Sequence, residues 1–170
     1  MYKIGIVSPG KMGCSLVRTL AEQQDVYCAL DGRSKETVDR AERLGLKNLR
    51  TLNQIFKTCD FVFCIGTAGT AFDTIQSALD NKYKGVYVDF NTLFGEESEK
   101  QLLEKSKNLD FVDGVLYGWP VEGQSDENKE RRMYLFGEKA QNVVDLFNKD
   151  VWKIYLTYKS AKRYRRLNLS

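Results

Sequence analysis

The first twenty residues constrain the fold most, because a strand, a glycine-containing turn and a helix follow one another directly. Residues 2–7 form a short apolar run with β-branched residues, which indicates a strand. The turn SPGKMG follows at residues 8–13. Apolar residues then recur at helical spacing over residues 14–21. Strand, glycine turn and helix in this order form the context that a dinucleotide-binding turn requires.

Such a turn would attract a phosphate for physical reasons. A helix N-terminus has unpaired N–H groups and the positive end of the helix dipole, so it favours a pyrophosphate. Gly10 would let the phosphates approach the backbone, and Gly13 would let the helix lie close to the strands. Ser8 holds the place of the first glycine of a G-x-G-x-x-G pattern, while Pro9 stiffens the turn. The alternative interpretation is an ordinary strand-to-helix turn.

The second strand, residues 26–30, ends in a turn that offers two ways to bind a ribose. Asp31 lies roughly twenty residues beyond the glycine turn, where an acidic residue bonds the 2′-hydroxyl of NAD. Arg33 could instead hold the 2′-phosphate of NADP by charge-assisted hydrogen bonds. Ser34 could hold the same phosphate or cap the next helix. The run from Arg33 to Lys35 favours NADP, and the alternative is a solvated turn before a helix.

Strands and helices alternate along the chain. Residues 60–65 and 85–90 are nearly unbroken apolar runs, as expected for central parallel strands that are covered on both sides. Residues 66–70 are predicted to be a small loop at the carboxyl end of one of them, where a cofactor lies in such sheets. The pattern therefore predicts an α/β fold of the Rossmann type, with a doubly wound, mostly parallel sheet and helices on both faces. The other predicted helices span residues 34–44, 51–57, 72–79, 96–106 and 140–147, and the other strands span residues 111–113, 133–136 and 151–155.

Composition restricts the chemistry that this chain can carry. Its 170 residues are 42% hydrophobic and 29% charged, which is typical of one globular domain. It has no histidine, so His-based triads and the usual zinc sites are excluded and no metal is expected. The net charge of +3 is too small to favour nucleic acid as a partner. No membrane span or signal peptide is seen, so we expect a cytoplasmic location and no membrane partner.

The four cysteines fit reduced thiols better than a disulfide framework, because none forms a C-x-x-C pair. Cys28 and Cys64 fall within predicted buried strands, whereas Cys14 and Cys59 lie near predicted helix ends. Near a helix N-terminus, Cys14 could have a lowered pKa. The alternative is that Cys14 is a small packing residue.

The end of the chain differs from the rest. Residues 159–166 contain five basic residues and no acidic one. We therefore expect one domain over residues 1–158 and a basic tail over residues 159–170. The tail could contact phosphate or nucleic acid, or begin a further helix with a catalytic lysine. The alternative is a frayed basic terminus.

Four stretches together resemble the NAD(P)-binding domain of the β-hydroxyacid dehydrogenase and 6-phosphogluconate dehydrogenase superfamily. Residues 4–13 are similar to its G-x-G-x-M-G turn, and residues 32–34 to the N-R-S/T after its second strand. Residues 88–92 are similar to its V-D-x-S-T, and residues 111–118 to its F-L-D-A-P-V-S-G. Order and spacing agree over residues 2–155, which is nearly the whole chain.

The resemblance implies hydride transfer between a nicotinamide cofactor and a small hydroxy acid, or a related carbonyl or imine. The expected cofactor is NADP, with NAD as the alternative, and the expected partner is a small-molecule substrate. Tyr117 and Gly118 would meet that substrate. The cofactor-binding residues would be Ser8, Pro9, Gly10, Lys11, Met12, Gly13, Asp31, Arg33, Ser34, Gly66, Thr67, Asn91 and Thr92.

Three departures from the family pattern leave a second function open. Ser8 replaces a glycine, and Tyr117 stands where the family's substrate-binding serine usually lies. The family also has a helical second domain whose first helix carries a catalytic lysine and a nearby asparagine. Lys162 is in about the right place for that lysine, but Arg165 occupies the asparagine position. A non-catalytic NAD(P)-binding module is therefore the alternative to an oxidoreductase, and a half-built site with an exposed face favours a homodimer.

Overall fold

The computed structural model describes residues 1–20, 24–93, 95–118, 120, 130–147 and 149–160. Its strands are β1 (Lys3–Val7), β2 (Asp25–Cys28), β3 (Lys47–Asn48), β4 (Phe61–Cys64), β5 (Val86–Asp89), β6 (Asp110–Tyr117), β7 (Arg132–Phe136) and β8 (Lys153–Leu156). Its helices are α1 (Lys11–Arg18), α2 (Lys35–Arg43), α3 (Leu52–Thr58), α4 (Ala68–Asp80), α5 (Glu96–Ser106) and α6 (Ala140–Val144).

The strands join in one sheet with the order β3-β2-β1-β4-β5-β6-β7-β8. Neighbouring strands are parallel except for β6 and β7, which are antiparallel. The order reverses at β1, where Ile4 pairs with Val26 on one side and with Phe61 on the other. In sheets of this kind a ligand lies outside the carboxyl ends of the strands at this switch point. The predicted mostly parallel sheet is confirmed.

Helices cover both faces of the sheet. On one face, α1, α2 and α6 pack on a core that includes Ile6, Leu16 and Phe63. On the other face, α3, α4 and α5 pack on a core that includes Ile55 and Tyr87. A strand buried on both faces needs apolar residues at every position, which explains the unbroken sequence FVFC of β4. None of the helices in the described ranges combines the length and apolar character that a membrane crossing needs.

Helix α4 begins earlier than the sequence predicts. The pattern predicts a loop over residues 66–70 and a helix from Phe72, whereas α4 starts at Ala68. Thr67 Oγ1 accepts a hydrogen bond from the Thr70 amide at 3.3 Å and caps the first turn. The cap offsets the low helix propensity of Gly69 in this turn, so the predicted loop is wrong over most of its length.

Strand β6 is longer than the sequence predicts. Apolar spacing indicates only residues 111–113, whereas the strand runs over Asp110–Tyr117. The antiparallel partner β7 pairs with it as far as Tyr117, opposite Arg132. Strand β3 is not predicted at all, because two exposed residues leave no alternation to detect.

The C-terminal end of α1 is tied to the far end of the chain. Trp152 Nε1 donates a hydrogen bond to Thr19 Oγ1 at 2.9 Å, across 133 residues of sequence. Both residues are 2% exposed. Leu20 also forms an isolated β-bridge with Phe147. The helix that follows the glycine turn is therefore held at its other end by the segment between α6 and β8.

Candidate functional site

A cavity of about 310 Å³ lies at the carboxyl edge of the sheet, next to the switch point. It extends from the turn after β1, across the ends of β4 and β5, to β6. The predicted cofactor residues that line it are Ser8, Gly10, Met12, Gly13, Gly66, Asn91 and Thr92. Its apolar wall is formed by Ile65, Phe90, Val115 and Leu116. The structure thus brings together the turn after β1 and the two strand ends that the sequence singled out.

The two glycines of the turn have different surroundings. A Cβ built at Gly10 would meet only the Ser8 carbonyl oxygen, at 3.9 Å, so this position is open. A Cβ built at Gly13 would lie 3.0 Å from the same oxygen and 3.3 Å from side-chain atoms of Ile6 and Ile65. Gly13 therefore allows α1 to pack against the ends of β1 and β4, whereas Gly10 leaves space above the backbone.

Ser8 turns the chain through a backbone conformation that L-residues rarely adopt. Its φ is 62°, in the left-handed region, which costs a non-glycine residue roughly 1–2 kcal/mol. Its carbonyl oxygen accepts a hydrogen bond from the Gly10 amide at 2.7 Å, which closes the turn. Ser8 therefore takes a left-handed conformation that glycine adopts without strain.

The turn after β2 presents Asp31 and Arg33 to solvent. The Arg33 amide donates to the Leu30 carbonyl at 3.0 Å, and Gly32 takes a φ of 74°, so the turn has a defined shape. The Asp31 carboxylate forms an ion pair with Arg50 at 3.5 Å. Arg50 therefore places a second guanidinium beside the carboxylate that would otherwise repel a phosphate.

Helix α2 contributes one predicted residue and one that the sequence did not reveal. Ser34 caps the helix, since its Oγ accepts a hydrogen bond from the Thr37 amide at 3.4 Å. Arg40, six residues further along, donates to the Pro9 carbonyl at 3.5 Å and pairs with Glu36 at 2.6 Å. Arg40 thus connects α2 to the glycine turn, a tertiary contact that leaves no local signal in the sequence.

Asn91 connects the end of β5 to the segment after β4. Its Oδ1 accepts a hydrogen bond from the Gly66 amide at 2.5 Å. Its Nδ2 donates to the Asp89 carboxylate at 2.8 Å and to Cys64 Sγ at 3.1 Å. Asn91 is 1% exposed, whereas Thr92 beside it is exposed.

Tyr117 belongs to a row of aromatic rings that crosses β6, β7 and β8. Its ring meets Tyr134 edge-on with centroids 5.5 Å apart, and Tyr134 stacks on Tyr155 at 5.0 Å. Among the described residues of β6, Val115 and Leu116 line the cavity. The substrate contacts of Tyr117 and Gly118 stay predictions. Lys162 lies outside the described residues, so its catalytic role stays a prediction as well.

The cysteines are free and buried, and none has a lowered pKa. Burial raises the pKa of Cys28 to about 11, that of Cys59 to about 12 and that of Cys64 to about 11. Burial also raises the pKa of Cys14, although Arg40 nearby acts in the opposite direction. The reactive interpretation of Cys14 is therefore wrong, and it is a packing residue. The described ranges contain no group of three or more His, Cys, Asp or Glu side chains that could hold a metal ion.

One curated protein is similar in sequence. It is an uncharacterised 28.5 kDa protein of Methanothermus fervidus, 27% identical over 117 residues. The match covers 68% of this chain and 45% of that protein. The chain therefore spans about half the length of this relative.

Solved structures share the fold over nearly the whole chain. A conserved protein of unknown function, described as structurally similar to 3-hydroxyacid dehydrogenases, aligns with a TM-score of 0.77 at 22% identity. That alignment covers 97% of this chain and 62% of the other. An imine reductase variant from Myxococcus stipitatus, in complex with NAD⁺, aligns with a TM-score of 0.73 at 13% identity, over 99% of this chain and 60% of its own.

The family of the chain is shown by a sequence match to a family model. The NAD binding domain of 6-phosphogluconate dehydrogenase matches residues 3–143, which contain the glycine turn, the turn after β2 and the ends of β4, β5 and β6. Except for the turn after β2, these are the elements that line the cavity. The chain therefore belongs to the family of the NAD binding domain of 6-phosphogluconate dehydrogenase.

Proposed function

We propose that this chain binds the cofactor of an NAD(P)-dependent oxidoreductase. The observation that carries the proposal is the cavity of about 310 Å³ between the glycine turn and the ends of β4, β5 and β6. A dinucleotide there would have its pyrophosphate at the N-terminus of α1 and its nicotinamide on the side of β4 and β5. When bound, the nicotinamide supplies the hydride chemistry, and the protein supplies binding and orientation.

The residues of the turn fit such a cofactor. A Cβ built at Gly10 would have no protein atom nearer than the Ser8 carbonyl oxygen, at 3.9 Å. A phosphate can therefore approach the backbone here, where a side chain would block it. Gly10 occupies the N-cap position of α1 and has no side chain with which to cap the first amides of the helix. These N–H groups suit the oxygens of a pyrophosphate.

NADP is the cofactor that the charges favour. Arg33 is exposed at the turn where the adenosine ribose would lie, and it offers a planar guanidinium to a 2′-phosphate. The ion pair between Asp31 and Arg50 offsets the one negative charge of this turn. NAD is the alternative cofactor, because Asp31 could accept a hydrogen bond from a free 2′-hydroxyl.

The hydride would go to or from a small hydroxy acid, or a related carbonyl or imine. Family membership and the likeness to hydroxyacid dehydrogenases and an imine reductase support this substrate class. Val115 and Leu116 form an apolar wall near the expected nicotinamide position, which would help to exclude water. The alternative is a binding module without turnover, which the packing of Tyr117 into the aromatic row favours, since that ring has a structural role.

The test is a titration of the protein with NADPH and with NADH, in which cofactor fluorescence reports binding. We expect both to bind and NADPH to bind more tightly. Gly10→Val should fold, because the position is open, and should bind neither cofactor. Binding by Gly10→Val would place the cofactor elsewhere. Oxidation of NADPH with a panel of keto acids and imines then separates the enzyme from the binding module, which would bind the cofactor and turn over none of them.

A further inference from the structure

We propose that Asn91 is a positioning residue that fixes the Gly66 backbone at the nicotinamide side of the cavity. The family resemblance implies that Asn91 contacts the cofactor itself. In the structure both amide hydrogens of its side chain already have partners within the protein, although Asn91 lines the cavity. The inference rests on the proposed function, since it concerns the same cavity.

The hydrogen-bonding groups of the Asn91 side chain are accounted for. A carboxamide has two N–H donors, and they reach the Asp89 carboxylate at 2.8 Å and Cys64 Sγ at 3.1 Å. Its oxygen accepts the Gly66 N–H at 2.5 Å. With both donors engaged and an exposure of 1%, the side chain has no donor to offer a ligand.

Asp89 determines which way the carboxamide faces. A carboxylate oxygen accepts hydrogen bonds, so Asp89 must face the Nδ2 group of Asn91 and not its oxygen. The oxygen is thereby turned towards Gly66, whose amide needs an acceptor. The backbone amide of Asn91 also donates to Asp89, at 3.0 Å, which holds the two residues together. The orientation follows from the chemistry of Asp89, which is 0% exposed.

The position of Gly66 matters because it lines the cavity just before α4. On one side, the Asn91 side-chain oxygen accepts a hydrogen bond from the Gly66 amide. On the other side, a Cβ built at Gly66 would lie 3.2 Å from atoms of the Thr70 side chain, so the backbone lies close to the first turn of the helix. The segment is thus held between β5 and α4. This leaves its backbone fixed where the nicotinamide half of a dinucleotide would lie.

The adenosine half of the cofactor would contact other elements. It would lie beyond β1, at the turn that contains Arg33, and Asn91 is on the opposite side of the switch point. Loss of the Asn91 contacts should therefore weaken binding of the nicotinamide half and leave the adenosine half unaffected. A loss of overall stability would weaken both, so the two ligand halves distinguish positioning from a merely structural role.

The experiment compares NADPH with 2′,5′-ADP, which carries the adenosine half and the 2′-phosphate without nicotinamide. Calorimetry on Asn91→Ala should show NADPH affinity reduced by about tenfold or more, because the Gly66 backbone is no longer held in place for the nicotinamide half. The affinity of Asn91→Ala for 2′,5′-ADP should stay within about twofold of the wild-type value. The matched control is Asn81→Ala, which removes hydrogen bonds of 2.9 and 2.8 Å at the far end of α4. It should leave both affinities unchanged.

A second variant covers the case in which Asn91→Ala fails to fold. Asn91→Ser keeps a small polar group beside Asp89 and shortens the reach to Gly66. Amide hydrogen exchange measured by NMR should show the Gly66 amide exchanging at least about tenfold faster than in the wild type. The Val88 amide within β5 should be unchanged.

The outcomes separate this inference from the proposed function. Unchanged NADPH affinity in the folded Asn91 variants would overturn the positioning role alone. Equal losses for NADPH and 2′,5′-ADP would overturn it too, since they indicate general destabilisation. A wild-type chain that binds neither NADPH nor NADH would overturn the proposed function, and this inference with it.

Discussion

The Ser8 carbonyl oxygen lies so close to α1 that a Cβ added to Gly13 would stand 3.0 Å from it. Ser8 turns the chain with a φ of 62°, and Gly13 brings the helix back over the turn. Glycine suits both positions best, because one has a left-handed φ and the other has no space for a Cβ, yet only residue 13 is glycine. Replacing Gly13 should therefore destabilise the protein, whereas replacing Ser8 by glycine should stabilise it.

Gly13→Ala should lower the free energy of unfolding by about 1–3 kcal/mol, because the added methyl group has no space. Gly10→Ala is the matched control, since its Cβ would meet nothing nearer than 3.9 Å. The N-cap preference for glycine opposes the gain from a less flexible unfolded chain, so the free energy of unfolding should change by less than about 0.5 kcal/mol. Urea unfolding, monitored by fluorescence, gives the free energy of unfolding of each variant. Equal stability of the two variants would contradict the close packing at Gly13.

Ser8→Gly should raise the free energy of unfolding by up to about 1 kcal/mol. Relief of the left-handed conformation exceeds the entropy that glycine adds to the unfolded chain. Ser8→Ala, which keeps the unfavourable φ, should give no gain. Thermal and urea unfolding of the three proteins provide the comparison. A Ser8→Gly variant less stable than the wild type would show that the serine hydroxyl stabilises the turn.

Arg33→Ala should weaken NADPH binding by about 1.5–3 kcal/mol, the contribution of a hydrogen bond to a charged group. NADH binding should change little, since NADH has no 2′-phosphate. Arg43→Ala removes an exposed guanidinium further along α2 and serves as the control. Fluorescence titration gives all the dissociation constants. Losses of the same size for NADPH and NADH would rule out recognition of the 2′-phosphate by Arg33.

Trp152→Phe should lower the free energy of unfolding by about 1–3 kcal/mol, because it removes the donor to a buried hydroxyl. The hydrogen bond to Thr19 measures 2.9 Å, and both residues are 2% exposed. Tyr155→Phe, on the following strand and 44% exposed, is the control. It should stay within about 0.5 kcal/mol of the wild type. If the two variants are equally stable, the contact does not anchor α1.

Stability should fall above pH 9, because burial raises the pKa of Cys28 from 9.0 to about 11. Below pH 9 the thiol is protonated in both states, so it does not make stability depend on pH. Between pH 9 and about 11 the unfolded chain ionises first, and each such thiol lowers the free energy of unfolding by up to about 1.4 kcal/mol per pH unit.

Cys28→Ala tests this dependence on pH. The variant should be less stable at pH 8, because it leaves a cavity. Its stability should fall less steeply between pH 8 and pH 10 than that of the wild type, since one ionisable thiol is gone. Urea unfolding at several pH values gives both slopes. Identical slopes would mean that Cys28 ionises equally in the two states.

The local sequence pattern was sufficient to predict the doubly wound sheet and the glycine turn after β1. The buried run of β4 and the alternation of elements predict a doubly wound sheet, because strands covered on both faces leave a clear apolar signal. The glycine spacing predicts open backbone at Gly10 and close packing of α1 at Gly13, and the surroundings of the two residues agree with this. These features depend on residues that are near one another in the sequence.

Other parts of the site depend on contacts that local pattern does not reveal. Arg40 reaches Pro9 only because α2 packs beside the turn, and Asn91 reaches Gly66 only because β4 and β5 are neighbours. Strand β6 extends to Tyr117 through pairing with a strand that comes later in the chain. Each of these contacts joins residues distant in sequence, so none changes the periodicity on which the predictions rest.

The hydrogen bond between Thr19 and Trp152 has a consequence for how the protein is made. The two residues are 133 positions apart, so at about 5–20 residues per second a ribosome needs about 7–27 seconds to pass from one to the other. Throughout that interval the nascent α1 lacks the partner that holds its C-terminal end. The turn of the candidate site is therefore synthesised well before Trp152, the residue that secures the C-terminal end of its helix.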